Sequence, residues 1–174
     1  TVGGGITSID QIRELLKSGA EKICLCTSAI NDPSLIKDAA DYFGSQSVVV
    51  SIDVSKDWWG RRVVMSKSST IKTSLDPISW AQEVESFGVG EILLNCVYLD
   101  GIMEGYDVDF ANTFCNSVNV PVIVSGGAGN FEDFEILLGN SSASAAAGGS
   151  VFVFHGPLKG VLISYPSKKL KFVR

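Results

Sequence analysis

Apolar positions along the chain switch between a helical and a strand-like period, in alternation. From Ser8 to Lys17, Ile9, Ile12, Leu15 and Leu16 fall on one helical face. Ser8 and Gln11 read as a capping box, and Gly19 ends the helix. A short strand, Lys22 to Leu25, follows. Asp32-Pro33 reads as an N-cap with proline at the first helical position. The helix it opens turns Leu35, Ile36, Ala39, Ala40 and Phe43 inward and stops at Gly44. Ser47 to Ile52 is an unbroken apolar run of the buried, parallel-strand kind, with Asp53 at its C-terminal end. Residues 57–66 (DWWG, then RRVVMS) predict a hairpin inserted after that strand, and 66–74 (SKSSTIKTS) a polar loop longer than most connections. Further along, Asp76-Pro77 starts a helix to Phe87, and Glu91 to Leu94 is a strand. Asp107 caps a helix to about Ser117, Val120 to Val124 is a strand, Asn130 caps a helix over FEDFEILL, and Ala143 to Ala147 is a strand. A last helix is expected from near Pro157.

Strands alternating with helices at this spacing predict parallel strands joined by crossover helices. Six strand ends with helices are visible. A (β/α)8 TIM barrel needs eight, at roughly 30 residues each. The chain begins with Thr1-Val2 running straight into glycines, as though at the end of a strand. The expectation is therefore one domain over residues 1–174, an N-terminally truncated barrel of the two-fold half-barrel type lacking its first two units. Open apolar strand edges in such a piece would favour aggregation, or dimerisation that closes the barrel. The competing architecture is an open doubly wound sheet, which six strands also satisfy.

Residues 2–16 and 124–138 repeat one another at an offset of 122 residues. Gly4 meets Gly126 and Gly5 meets Gly127; Ile9, Ile12, Leu15 and Leu16 meet Phe131, Phe134, Leu137 and Leu138. Each copy is followed by a strand ending in small or hydroxyl residues, Cys26-Thr27-Ser28 and Gly148-Gly149-Ser150. Side-chain-free turns let backbone N–H groups approach phosphate oxygens, and a helix N-terminus adds positive potential. Two such turns across a barrel mouth would grip a ligand with a phosphate at each end. The plainer alternative is a pair of tight β-to-α turns.

Composition narrows the partners. The formal charge of −5 without a basic block argues against nucleic acid and anionic membranes. No apolar run approaches the ~18 residues of a membrane span, and no secretory signal is visible. Cys24, Cys26, Cys96 and Cys115 lack disulfide or zinc spacing and read as reduced cysteines of a cytoplasmic protein. His155 is the single histidine, which argues against a multi-histidine zinc site and leaves one candidate base for a nucleophilic triad.

The segments TVGGGI (1–6), FGSQSVVVSIDV (43–54), GEILL (90–94), DGIMEGYD (100–107), VPVIVSGGAGN (120–130) and SVFVF (150–154) together resemble the cyclase subunit of imidazole glycerol phosphate synthase, the HisF family. The resemblance implies a two-fold-symmetric β/α barrel of histidine biosynthesis, a lyase without metal or cofactor. Its glutaminase partner delivers ammonia through the barrel to a bis-phosphorylated ribulosyl aminoimidazole nucleotide. The products are imidazole glycerol phosphate and an aminoimidazole ribotide. Two strand-end aspartates act as acid and base, and one matches Asp53; the other would lie on a strand before Thr1, so the piece as given is expected to be inactive. Gly4, Gly5 and Thr27 match one phosphate site, and Asp100, Gly101, Gly126, Gly127, Gly149 and Ser150 the other. Lys22 and Glu91 match two members of a charged ammonia gate at the opposite mouth, and Glu21 an acidic residue facing the glutaminase. Without the resemblance, Asp53 reads as a solvated loop carboxylate or a partner for Lys56, and the gate residues as a surface ion-pair cluster.

Cys26 stands where the family has asparagine, Leu99 where it has arginine, and Ile102, Met103 and Glu104 where a threonine and a lysine are customary. These departures, with DWWG and the tail from His155, are similar to a branch associated with glycosyl amidation in surface-polysaccharide synthesis. That branch implies an alternative role, an accessory subunit conducting ammonia to a sugar amidotransferase.

Overall fold

A computed structural model describes residues 1–156 and 159–163. Six parallel strands, β1 (Val2–Gly3), β2 (Ile23–Leu25), β3 (Val48–Lys56), β6 (Glu91–Cys96), β7 (Val122–Ser125) and β8 (Ala145–Ala147), pair in the order of the chain. No strand order reverses, so there is no switch point and the doubly wound alternative is excluded. Right-handed crossovers in one direction put the helices on one face and curl the sheet into an arc of a β/α barrel. The helices are α1 (Ile9–Lys17), α2 (Thr27–Asn31), α3 (Ser34–Phe43), α4 (Pro77–Ser86), α5 (Val108–Cys115), α6 (Phe131–Asn140) and α7 (Ser150–Val153).

Strand parity divides the core. Ile23, Leu25, Val48, Val50, Ile52, Val54, Ile92, Leu94, Val122 and Val124 face outward and are buried with Ile12, Ile36, Trp80, Phe114 and Leu137 of the helices. The alternate positions Cys24, Ser51, Asp53, Glu91, Asn95 and Ser125 share the concave face.

The caps follow local chemistry. Asp76 accepts from the amides of Ile78 and Ser79 with Pro77 in the first turn, and Asn130 forms a reciprocal box with Asp133. Two starts differ from expectation. Ser8 accepts from the Gln11 amide, but the Gln11 side chain takes the Thr7 amide at 2.8 Å, so the box closes one residue early. Asp32 accepts from the Ser34 amide and hydroxyl, which places Pro33 at the cap and starts α3 at Ser34. A short helix, α2, begins within the hydroxyl cluster that was read as the end of a strand.

The insertion is a three-stranded meander. β4 (Arg62–Ser66) returns antiparallel on β3, as the hairpin reading expected, and β5 (Ile71–Lys72) returns on β4 where a loop was expected. Asp57 holds the first turn by accepting from the Trp59 and Arg61 amides, each at 2.9 Å. That leaves Trp58 and Trp59 95 % and 79 % exposed at the tip. In the second turn Lys67, Ser68 and Ser69 all have left-handed φ of 49°, 54° and 63°. At the end of the described chain β9 (Phe154–His155) pairs antiparallel with β10 (Gly160–Val161). Pro157, where a helix was expected to begin, lies outside the described residues, and residues 160–161 are strand instead.

Candidate functional site

The C-terminal ends of the parallel strands form one rim. Along it Asp53, Asn95, Ser125 and Ala147 stand in register on the concave face. Asp53 is only 8 % exposed, although it is ionisable. Its Oδ1 accepts from Asn95 Nδ2 at 3.1 Å and Ser51 Oγ at 3.3 Å; its Oδ2 accepts from Ser69 Oγ at 2.8 Å. Three donors orient the carboxylate and compensate its burial. Lys56, the alternative partner, turns elsewhere, to Asp107.

The first glycine turn lies beside Asp53. Gly4 and Gly5 have φ of +105° and +70°, and both are exposed with no atom within 4 Å of where a Cβ would stand. Their identity is therefore set by backbone conformation, not by crowding. With Thr27, Ser28, Asn31, Ser51, Asp53 and Ser68 they line a cavity of about 510 Å³. Cys26 borders the same cavity; burial first, then the charge of Asp53, pushes its thiol up to about 12. Cys24, one layer below, is pushed up to about 11 by burial. Both sulfurs are protonated at neutral pH and act as small, weakly polar wall.

The second glycine turn lies on the same rim, at the end of β7, but its surroundings differ. Gly126 and Gly127, with φ of +97° and +116°, are buried. A Cβ at Gly126 would collide with the Cys96 carbonyl, and one at Gly127 with the Gly105 carbonyl. The Gly105 amide donates to the Gly127 carbonyl at 2.9 Å, and Tyr106 donates its hydroxyl to the Ala147 carbonyl at 2.8 Å. The loop after β6 thus roofs this turn. Gly149 is exposed where β8 passes into α7, and Ser150 opens that helix. Asp100 and Gly101 sit in an exposed turn after β6, where the Gly101 carbonyl accepts from Lys159 Nζ at 3.2 Å.

At the opposite, N-terminal rim Lys22 Nζ lies 2.6 Å from Glu91 Oε2. The register Cys24–Val49–Glu91 carries this pair across β3 on the concave face, while Glu21 is exposed beside it. Between the two rims the concave face presents Cys24, Ser51 and Leu93.

One cluster escaped the reading of the sequence. Asp107 Oδ2 accepts from Tyr98 Oη at 2.6 Å and Arg62 Nη2 at 2.8 Å, and its Oδ1 caps α5 through the Phe110 amide. Lys56 stands 4.3 Å over the Tyr98 ring, and Arg62 stands 4.2 Å over Phe110. Burial would raise the Asp107 carboxyl, but the bonds from Tyr98 and Arg62 outweigh it and hold the group below the usual range. The cluster ties the meander to the β6–α5 loop. Lys56 and Arg62 face each other in the β3–β4 register, and that parity was the available signal. Parity would likewise have found Asn95, four residues after Glu91 and opposite Asp53.

Residues 1–158 match the family described as histidine biosynthesis protein. The chain belongs to the histidine biosynthesis protein family. Within it the similarity is to HisF subunits. A Clostridium botulinum imidazole glycerol phosphate synthase subunit HisF is 49 % identical over 158 residues, 88 % of this chain and 61 % of the relative. A Pseudomonas aeruginosa protein, whose name assigns it provisionally to the same synthase as subunit hisF2, is 45 % identical over 164 residues, 94 % of this chain and 65 % of the relative. A HisF subunit of Saccharolobus solfataricus is 45 % identical over 152 residues, 87 % and 60 % of the two chains. The chain thus spans about three-fifths of the length of these relatives. In family terms the rim with Asp53 is the C-terminal barrel face, where β/α-barrel sites lie. Among the described residues no helix is long and apolar enough to cross a membrane.

Proposed function

We propose that this chain carries the larger part of a HisF-type cyclase subunit of histidine biosynthesis. In this reading it acts, as part of the natural protein, on a bis-phosphorylated ribulosyl aminoimidazole nucleotide with ammonia from a glutaminase. The observation that carries the reading is the grouping of Asp53, Gly4-Gly5 and Thr27 around one cavity. The glycine amides and the threonine hydroxyl take one phosphate, and the second site is the rim of Gly127, Gly149 and Ser150 with Asp100 and Gly101. Asp53 moves protons as the ring closes: Ser51 and Asn95 hold one oxygen, and the other, which accepts from Ser69, is the one that meets substrate. Ammonia enters at the opposite rim past Lys22 and Glu91 and travels along the concave face. The glutaminase docks there, against Glu21. The relatives named as HisF subunits of this synthase support the histidine-biosynthesis assignment.

The test uses the natural protein with ammonium and the nucleotide substrate. Turnover is expected, and Asp53→Asn should lower kcat by about 10²–10⁴, the range for loss of a positioned acid–base group, with KM little changed. Absence of turnover in the unmutated protein, with a sugar amidotransferase retained on purification, would instead establish the accessory role.

A further inference from the structure

Asp53 and Thr27 are both engaged by the same external segment, the turn between β4 and β5. Ser69 Oγ donates to Asp53 Oδ2 at 2.8 Å, and the Lys67 amide donates to Thr27 Oγ1 at 2.9 Å. Ser68, between them, lines the cavity opposite Gly4 and Gly5. The other donors to Asp53 come from the barrel strands themselves, Ser51 of β3 and Asn95 of β6. The turn is therefore the sole holder of Oδ2 among the described contacts. It is also rigid within itself: the Thr70 amide donates to the Ser66 and Lys67 carbonyls, and its hydroxyl to the Lys67 carbonyl at 2.6 Å. Three successive non-glycine residues in the left-handed region are costly, and such a backbone persists only where its surroundings hold it. What holds it across the cavity are these two hydrogen bonds.

We propose that the turn Lys67–Ser69 is a strap across the cavity that an entering anion opens. This rests on reading the cavity as an anion site. A phosphate oxygen at Thr27 replaces the Lys67 amide, the strap loses one of its two anchors, and the strain in its backbone favours lifting. Lifting withdraws Ser69 and frees Asp53 Oδ2 for proton transfer, so that the carboxylate is released only when the phosphate seat is filled. Ser69 is a positioning residue in this scheme.

The experiment titrates the natural protein and its Ser69→Ala variant with inorganic phosphate, following affinity by calorimetry and the Lys67 amide by hydrogen exchange. Cutting one anchor shifts the closed–open balance, so Ser69→Ala should bind phosphate about fivefold more tightly, the factor one hydrogen bond of ordinary net worth supplies. The Lys67 amide should lose its protection as phosphate saturates. Binding to Ser69→Ala alone would also support the strap. Equal affinities, or protection retained at saturation, would overturn it and leave the anion site standing. No phosphate binding to either protein would overturn the strap and the anion-site reading together.

Discussion

Replacing Asp107 tests whether the cluster around it holds the meander in place. Asp107→Asn keeps shape and an oxygen for the Phe110 amide but removes the charge that Tyr98 and Arg62 satisfy. A hydrogen bond to a charged group nets about 1.5–3 kcal/mol. The Arg62 side chain is 34 % exposed, so water takes up part of that loss, and we expect a cost of about 2 kcal/mol. Among the described residues Arg62 Nε is buried without a hydrogen-bond partner, so the guanidinium is already under-satisfied before Asp107 is changed. Asp107→Ala also loses the helix cap, adding about 1 kcal/mol. The assay is denaturant unfolding of the natural protein and both variants from pH 7 to pH 2. Because the folded carboxyl lies below its unfolded value of about 3.9, the wild-type advantage is fully present above that pH. It is lost as pH falls through the lower folded pKa. The gap between wild type and Asp107→Asn should therefore stay level from neutrality to about pH 4 and close below it. A gap under about 0.5 kcal/mol at pH 7, the size of an ordinary surface substitution, would refute the reasoning. So would a gap that survives in acid.

The two glycine turns should respond differently to one methyl group. Gly5→Ala meets only the left-handed backbone cost of about 1–2 kcal/mol, whereas Gly127→Ala also drives a Cβ into the Gly105 carbonyl and should lose 3 kcal/mol or more, at roughly the upper end for local overpacking and strain; thermal or denaturant melts rank them, and equal losses would contradict the described roof over Gly127. Alkylation of Cys24 and Cys26 by iodoacetamide should remain slow through pH 9 and keep rising with pH without levelling off, since burial holds the thiols near 11 and 12, and fast labelling at pH 8 would show the cavity wall to be more open than described.

The alternation of apolar runs made the strand sequence and the helix faces legible, because a 3.6 period and an unbroken β-branched run are local properties. Val48–Ile52 and the Ile12 face lie where their patterns put them. The choice between barrel and open sheet was not local. It depends on which strand pairs with which, and only the unreversed order from β1 to β8 decides it. The missed elements are those whose donors come from afar. β5 is two residues long and is specified by its pairing with Met65 and Ser66, not by its own polar sequence. The partners of Asp53 lie on three different segments, 16 residues or more apart for Ser69 and 42 for Asn95. No window along the chain contains them, although strand parity marks Asn95 and Ser51.

The repeat itself carries the last step. Matching glycines at Gly4-Gly5 and Gly126-Gly127 suggest equal roles, yet the reasons for glycine are different in the two copies. At the first turn there is open space, so the residue is free to present its amides to a ligand. At the second, crowding by the Cys96 and Gly105 carbonyls demands glycine in addition to the left-handed backbone. A glycine explained by crowding gives no independent support to a phosphate site. The weight of that site shifts to Gly149 and Ser150, which are accessible at the end of β8. The internal symmetry therefore argues for shared architecture in both halves, while the case for binding has to be made turn by turn, and it is strongest where Gly5, Thr27 and Asp53 share a cavity.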